Sequence, residues 1–147
     1  MFKNILIPTD GSALSRKAIA TGVELARSLG ARVTGVFAAP PATPLLYGDH
    51  MPVGYATPTA HAKMIGKAAA RHLGHIERAA KKARVRYEGV SVTSDFPAEV
   101  ILDVARKKKC DLVVMASRGQ GGLKGVLIGS QAQKVLTQAR IPVLVCR

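Results

Sequence analysis

The feature that most constrains the fold is a pair of short runs that are apolar at every position. Ile5 to Ile7 and Leu112 to Ala116 show no polar alternation. A strand with one face in water alternates, whereas a strand covered on both faces does not, and such strands belong to parallel sheets. Between and around these runs the apolar period changes to that of a helix. After Lys3 to Pro8, the turn Thr9-Asp10-Gly11-Ser12 offers Ser12 as an N-cap. Leu14, Ala18, Ile19, Gly22, Val23, Leu25, Ala26 and Leu29 then recur at helical spacing until Gly30 stops the helix.

The alternation continues to the end of the chain. Arg32 to Ala38 predicts a second strand. His61 to about Ala83 predicts a helix with Met64, Ala68, Leu73, Ile76 and Ala80 inward, and Arg86 to Thr93 a third strand. Pro97 suits a first helical turn, and Val100, Ile101, Val104 and Ala105 form the buried stripe behind it. Asp111 to Ala116 is the fourth strand, Ser130 to about Ala139 the last helix and Ile141 to Cys146 the fifth strand. Strands alternating with helices define the α/β class, a doubly wound parallel sheet with helices on both faces, and residues 1–147 are expected to form one domain. Ligands in such sheets bind beyond the carboxyl ends of the strands, where strand order reverses. The loops after the first and fourth strands would meet over one crevice if those strands were neighbours.

The loop after the fourth strand carries the chemistry. It holds Gly119, Gly121, Gly122, Gly125 and Gly129 and restarts as a helix at Ser130. Glycine lets the backbone approach a ligand, and the first N–H groups of a helix are free to bind an anion, phosphate above all. Neither the Walker pattern nor Gly-x-Gly-x-x-Gly is present, since the third glycine of the latter falls on Lys124. A purely structural account also exists: Ser130 with Gln133 fits a capping box, and the glycines would allow positive φ.

Several features carry less. Five prolines between Ala39 and Thr59 exclude regular structure, in a loop where Tyr47, His50 and Tyr55 could cover a ligand. His72 and His75 have no metal-site pattern around them and read as solvent-facing. Cys110 and Cys146 read as structural thiols. The net charge of +13, from 22 Lys and Arg against 9 Asp and Glu, favours anionic partners, although much of it sits at predicted helix ends, as in Arg106 to Lys109. With three Phe, three Tyr and no Trp, little surface is offered to nucleobases, which argues against nucleic acid. A hydrophobic content of 48% without a bilayer-length apolar run or a signal-peptide pattern leads to the expectation of a cytoplasmic protein without a membrane.

Ala116-x-x-Gly119, nine residues and Gly129-Ser130 resemble the nucleotide-binding signature of the universal stress protein family, Gly-x-x-Gly, nine residues, Gly-Ser/Thr, with Ala116 in the first glycine's place. Ile5 to Ser12 and Ile141 to Val145 resemble the family's opening and closing strands. The resemblance implies a five-stranded sheet in order 3-2-1-4-5. It also implies an ATP site, with or without Mg²⁺. Adenosine would lie by Pro8, Thr9, Asp10 and Ala38. Ribose and phosphates would lie along Met115, Ala116, Ser117, Arg118, Gly119, Gly129, Ser130 and Gln131. It further implies a homodimer through Val143 to Cys146, no dedicated catalytic residue, and a role in stress response or signalling. The alternative is a family member that binds no nucleotide and acts through protein–protein contacts.

Overall fold

The computed structural model describes residues 1–41, 57–120, 125 and 127–147. Five strands alternate with four helices: β1 (Asn4–Pro8), α1 (Ala13–Leu29), β2 (Arg32–Ala39), α2 (Pro58–Lys82), β3 (Tyr87–Thr93), α3 (Pro97–Lys107), β4 (Leu112–Ala116), α4 (Ser130–Gln138) and β5 (Val143–Cys146). All pairings are parallel and the order is β3-β2-β1-β4-β5. β1 and β4 are neighbours, with Ile5 opposite Leu112 and Leu6 opposite Val113.

The unalternating strands are buried because helices cover both faces. Ile5, Ile7, Val33, Leu112 and Val114 meet α1 and α2 on one side. Leu6, Val36, Val113 and Met115 meet α3 and α4 on the other. Gly35 permits close approach on the first face, since a Cβ there would come within 2.9 Å of Ile76 and 3.0 Å of the Tyr87 ring. Burial of that ring pushes the Tyr87 hydroxyl pKa up to about 12.

Local signals act as expected at α1. The Ser12 hydroxyl accepts from the Ser15 N–H, and Gly30 closes the helix at φ +65°. Pro97 opens α3, and Val100, Ile101, Val104 and Ala105 are buried. Elsewhere the structure corrects the sequence reading. Pro58 does not exclude regular structure; it starts α2, three residues before His61, behind a Thr57 cap. Met64 is 59% exposed rather than inward. His72 is buried, while His75 is partly exposed. The inward stripe of α2 runs Ile65, Ala69, His72, Ile76 and Ala80, so the histidine takes a core position against Phe37, with ring centroids 5.1 Å apart. Tyr47, His50 and Tyr55 lie outside the described residues. Cys110 and Cys146 are both free thiols, and burial pushes the Cys110 thiol pKa up.

Candidate functional site

The chain leaves β1 and β4 side by side, and their loops are joined by hydrogen bonds. Thr9 is buried; its N–H donates to the Val36 carbonyl at 2.9 Å and its hydroxyl pairs with the Ser15 hydroxyl at 2.9 Å. Asp10 Oδ1 accepts from the Ser12 N–H at 2.9 Å, and Oδ2 accepts from the Gln120 N–H at 2.8 Å. The Gln120 side-chain amide donates back to the Asp10 carbonyl at 2.7 Å. Gly119 fits into this junction because it has no side chain: a Cβ would lie 2.5 Å from Asp10 Oδ2.

The junction walls a cavity of about 590 Å³ at the carboxyl ends of β1, β2 and β4. Pro8, Thr9, Asp10, Ala38, Met115, Ala116, Arg118, Gly119, Gly129, Ser130 and Gln131 border it, together with Val36, Pro97 and Ile101. The lining combines apolar side chains, Val36, Ala38, Pro97 and Ile101, with Arg118 and the start of α4. Gly129 is the N-cap of α4, at φ −72°, and no side chain caps the helix. Its opening N–H groups, from Ser130 to Ala132, therefore have no intrahelical partner and border the cavity.

Ser130 is the first residue inside the helix, so the capping-box assignment to Ser130 and Gln133 fails. The Gly129 N–H donates to the Ser117 carbonyl at 2.7 Å, so the cap is Gly129 while the helix starts at Ser130 as expected. Among the described loop glycines only Gly125 has positive φ; Gly119 and Gly129 are there for space. Ser117 stands apart from the other expected residues. It is buried, its N–H donates to the Cys146 carbonyl at 2.8 Å, and it does not border the cavity. The Gln131 side chain accepts from the Ala98 N–H at 3.1 Å and ties α4 to α3. Gly121 and Gly122 lie outside the described residues.

Sequence reasoning missed Ser15, Val36, Pro97, Ile101, Gln120 and Ala132. Val36 was within reach, because period two puts it on the same face of β2 as Ala38. Ile101 lies one helical turn after Pro97; the proline had been assigned to the helix start and the isoleucine to packing. Behind the β1 loop, on the far side from the cavity, the His72 ring rests on Gly11, whose φ is +79°. Burial lowers the His72 pKa, Arg71 and His75 lower it further, and Asp10 opposes them.

A doubly wound sheet with a ligand-sized cavity at its switch point, walled by a glycine-rich loop and an uncapped helix start, defines an α/β protein with a candidate ligand site. The universal stress protein family model matches residues 1–147, and the chain belongs to that family. A universal stress protein of Thermus aquaticus is 34% identical over 151 residues, covering all of both chains. Among solved structures, a universal stress protein in complex with cAMP matches with TM-score 0.69 and 20% identity, covering 99% of this chain and 97% of that one. The universal stress protein from Archaeoglobus fulgidus in complex with dAMP matches with TM-score 0.64 and 20% identity, covering 99% and 98%. At those identities the likeness is one of fold. No helix among the described residues is long and apolar enough to cross a membrane.

Proposed function

We propose that this universal stress protein holds an adenine nucleotide, ATP in the first instance, and serves stress response or signalling by binding rather than by turnover. The observation that carries this reading is a single cavity lined both by apolar side chains and by Arg118 and an uncapped helix start. The base would pack between Val36, Ala38 and Ile101, and the phosphates would meet Arg118 and the start of α4. Family relatives solved with cAMP and with dAMP support the choice of adenine. Asp10 is the only carboxylate bordering the cavity among the described residues, and both of its oxygens already accept backbone N–H groups. Efficient hydrolysis needs a base or a carboxylate-supported Mg²⁺, so binding without turnover is the reading we adopt. Copies of the chain are expected to pair through the edge strand β5 in the cytoplasm.

Mass spectrometry of ligand released from freshly purified protein, followed by titration calorimetry with ATP, tests the proposal. The expected result is adenine nucleotide in the purified protein and micromolar or tighter affinity, with binding lost in Gly129→Val. An empty protein that gives no heat and does not compete for a fluorescent ATP analogue would assign the chain to the family's interaction-only members.

A further inference from the structure

Every strand is parallel and every helix runs back against the sheet, so all strand starts and helix ends collect at the end of the molecule opposite the cavity. Cations collect there too. Lys3 precedes β1, Arg32 begins β2, Arg84 and Arg86 precede β3, Lys109 precedes β4 and Arg140 precedes β5. All six are exposed, and none makes an ion pair among the described residues. The acids nearby, the exposed Glu77 excepted, are otherwise engaged. Glu24 pairs with Arg27, Asp103 with Arg106 and Lys107, and Glu88 with Lys108. The Asp111 carboxylate accepts the Lys3 and Asn4 N–H groups.

Two of these cations occupy positions that stability alone would give to glycine. Helices α1, α2 and α3 end in the same hydrogen-bonded turn. The Ala31, Val85 and Cys110 N–H groups donate to the Ala26, Ala80 and Ala105 carbonyls at 2.9, 2.9 and 2.8 Å. The residue before each donor is left-handed: Gly30 at φ +65°, Arg84 at +57° and Lys109 at +53°. Glycine is the least strained occupant of such a position. In two of three equivalent turns the chain accepts backbone strain and places a long cation on this face.

We propose that this face binds the phosphate backbone of a nucleic-acid duplex. With strands about 4.8 Å apart, the row from β3 to β5 is about 19 Å wide. That width exceeds a B-form major groove of about 12 Å, so Arg84 and Arg86 on one flank and Arg140 on the other can reach opposite phosphate strands. Protein interfaces are built on apolar and aromatic anchors with charge depleted at their cores, whereas this row is made of charged residues alone. Membrane anchoring needs a second signal beyond charge, and the exposed Met1 is a poor one. The scarcity of aromatic residues counts against stacking on single strands, and phosphate contacts require no stacking.

The test is fluorescence anisotropy of the full chain with a labelled 20-base-pair DNA duplex of mixed sequence, from 50 to 200 mM KCl. Five or six phosphate contacts predict a slope of log affinity against log salt of about −4.5 to −5.5. Arg84→Gly with Lys109→Gly should make the slope shallower by about 1.8 and weaken binding at least about fivefold at 100 mM salt. The fold should survive in this variant, because glycine suits both backbones. Saturating ATP and Arg118→Gln should leave duplex binding unchanged. A wild-type slope shallower than −2, unaltered affinity in the double variant, or competition by ATP overturns the proposal. Tighter binding to phosphatidylserine vesicles than to duplex also overturns it, and assigns the face to membranes. A lower unfolding midpoint with unchanged duplex affinity means that the cations serve the helix ends alone.

Discussion

The loop that carries Asp10 is held from behind by an imidazole, and Gly11→Ala tests that support. A Cβ on Gly11 falls inside the van der Waals surface of His72, against Cε1 and Nδ1. To regain ordinary contact at about 3.5–4.0 Å the ring must retreat by more than about 1 Å. Phe37 packs against the same ring at 5.1 Å between centroids, which limits how far the ring can move. Overpacking of this kind costs about 1–3 kcal/mol. The left-handed backbone, φ +79°, adds roughly 1–2 kcal/mol for any L side chain. Gly11→Ala is therefore expected to destabilise by about 2–5 kcal/mol. In a His72→Ala background only the backbone strain remains, about 1–2 kcal/mol. Urea unfolding of the four proteins of this cycle, followed by circular dichroism at pH 8, gives the coupling energy. The same cost of Gly11→Ala in both backgrounds would refute the reasoning, because it would show that the ring does not confine the loop.

Acid should loosen the same support. His72 is held neutral by burial, with a pKa below its free value of ~6.5, so the unfolded chain takes up the proton first. Stability should be complete above pH ~6.5 and fall as the pH drops from there towards the folded pKa. Urea midpoints from pH 8 to 5 should fall less steeply in His72→Asn, and equal slopes would exclude this histidine. Ala116→Gly should tighten ATP binding by less than tenfold and lower stability by roughly 0.5–1 kcal/mol. Calorimetry and thermal unfolding measure both, and a hundredfold gain in affinity would place the wild type with the non-binding members. Leu144, 40% exposed on the edge strand β5, should hold a dimer that Leu144→Lys converts to monomer. Light scattering on wild-type protein that is already monomeric would end that reading.

The fold was legible because burial on both faces leaves an unmistakable trace in β1 and β4. Neighbourhood was not, since the pairing of Ile5 with Leu112 joins residues remote in sequence and has no local signal; only the family resemblance supplied the order. Most of the α2 stripe was read correctly, Ile76 and Ala80 buried and Ala68 and Leu73 packed against the core, but His72 was left out of it for a chemical reason. Apolar periodicity passes over histidine, yet the spacing of Ile65, Ala69, His72, Ile76 and Ala80 is helical throughout. The helix start at Ser130 was read correctly, but its cap was not, because a local capping pattern competes with a tertiary bond. The Gly129 N–H has the Ser117 carbonyl to bind, and that contact sets the cap. Ala116 was the open question in the signature, and its surroundings bear on it directly. It is a strand residue opposite Cys146, outside the positive-φ set, so alanine has no backbone conflict there. A glycine at this place would contribute space alone.

Space has a different meaning at the two remaining signature glycines. The Cβ of a residue at 129 would meet the Arg118 Cα and the Ser117 carbonyl at 3.4 Å, which is ordinary contact. The protein tolerates that first atom, and the extra methyls of valine are what crowd Arg118 and the cavity. At 119 the first atom already conflicts with Asp10 Oδ2, the acceptor of the Gln120 N–H. A side chain there displaces the carboxylate, and with it the bonds that join the glycine loop to the β1 loop. Each such bond to a charged acceptor is worth about 1.5–3 kcal/mol. Loss of nucleotide in Gly119→Val would therefore report the opening of the junction as much as the filling of phosphate space. Gly129→Val leaves the Asp10–Gln120 bonds in place, so loss of binding there bears on the proposed phosphate contacts at the start of α4. Gln120 gives the same distinction from the other side. Its backbone N–H survives any substitution except proline, whereas its side-chain bond to the Asp10 carbonyl does not. Gln120→Ala thus weakens the junction without adding an atom to the cavity, and because Gln120 also borders the cavity, a change in ATP affinity reports loop coupling only where Asp10→Asn changes it alike.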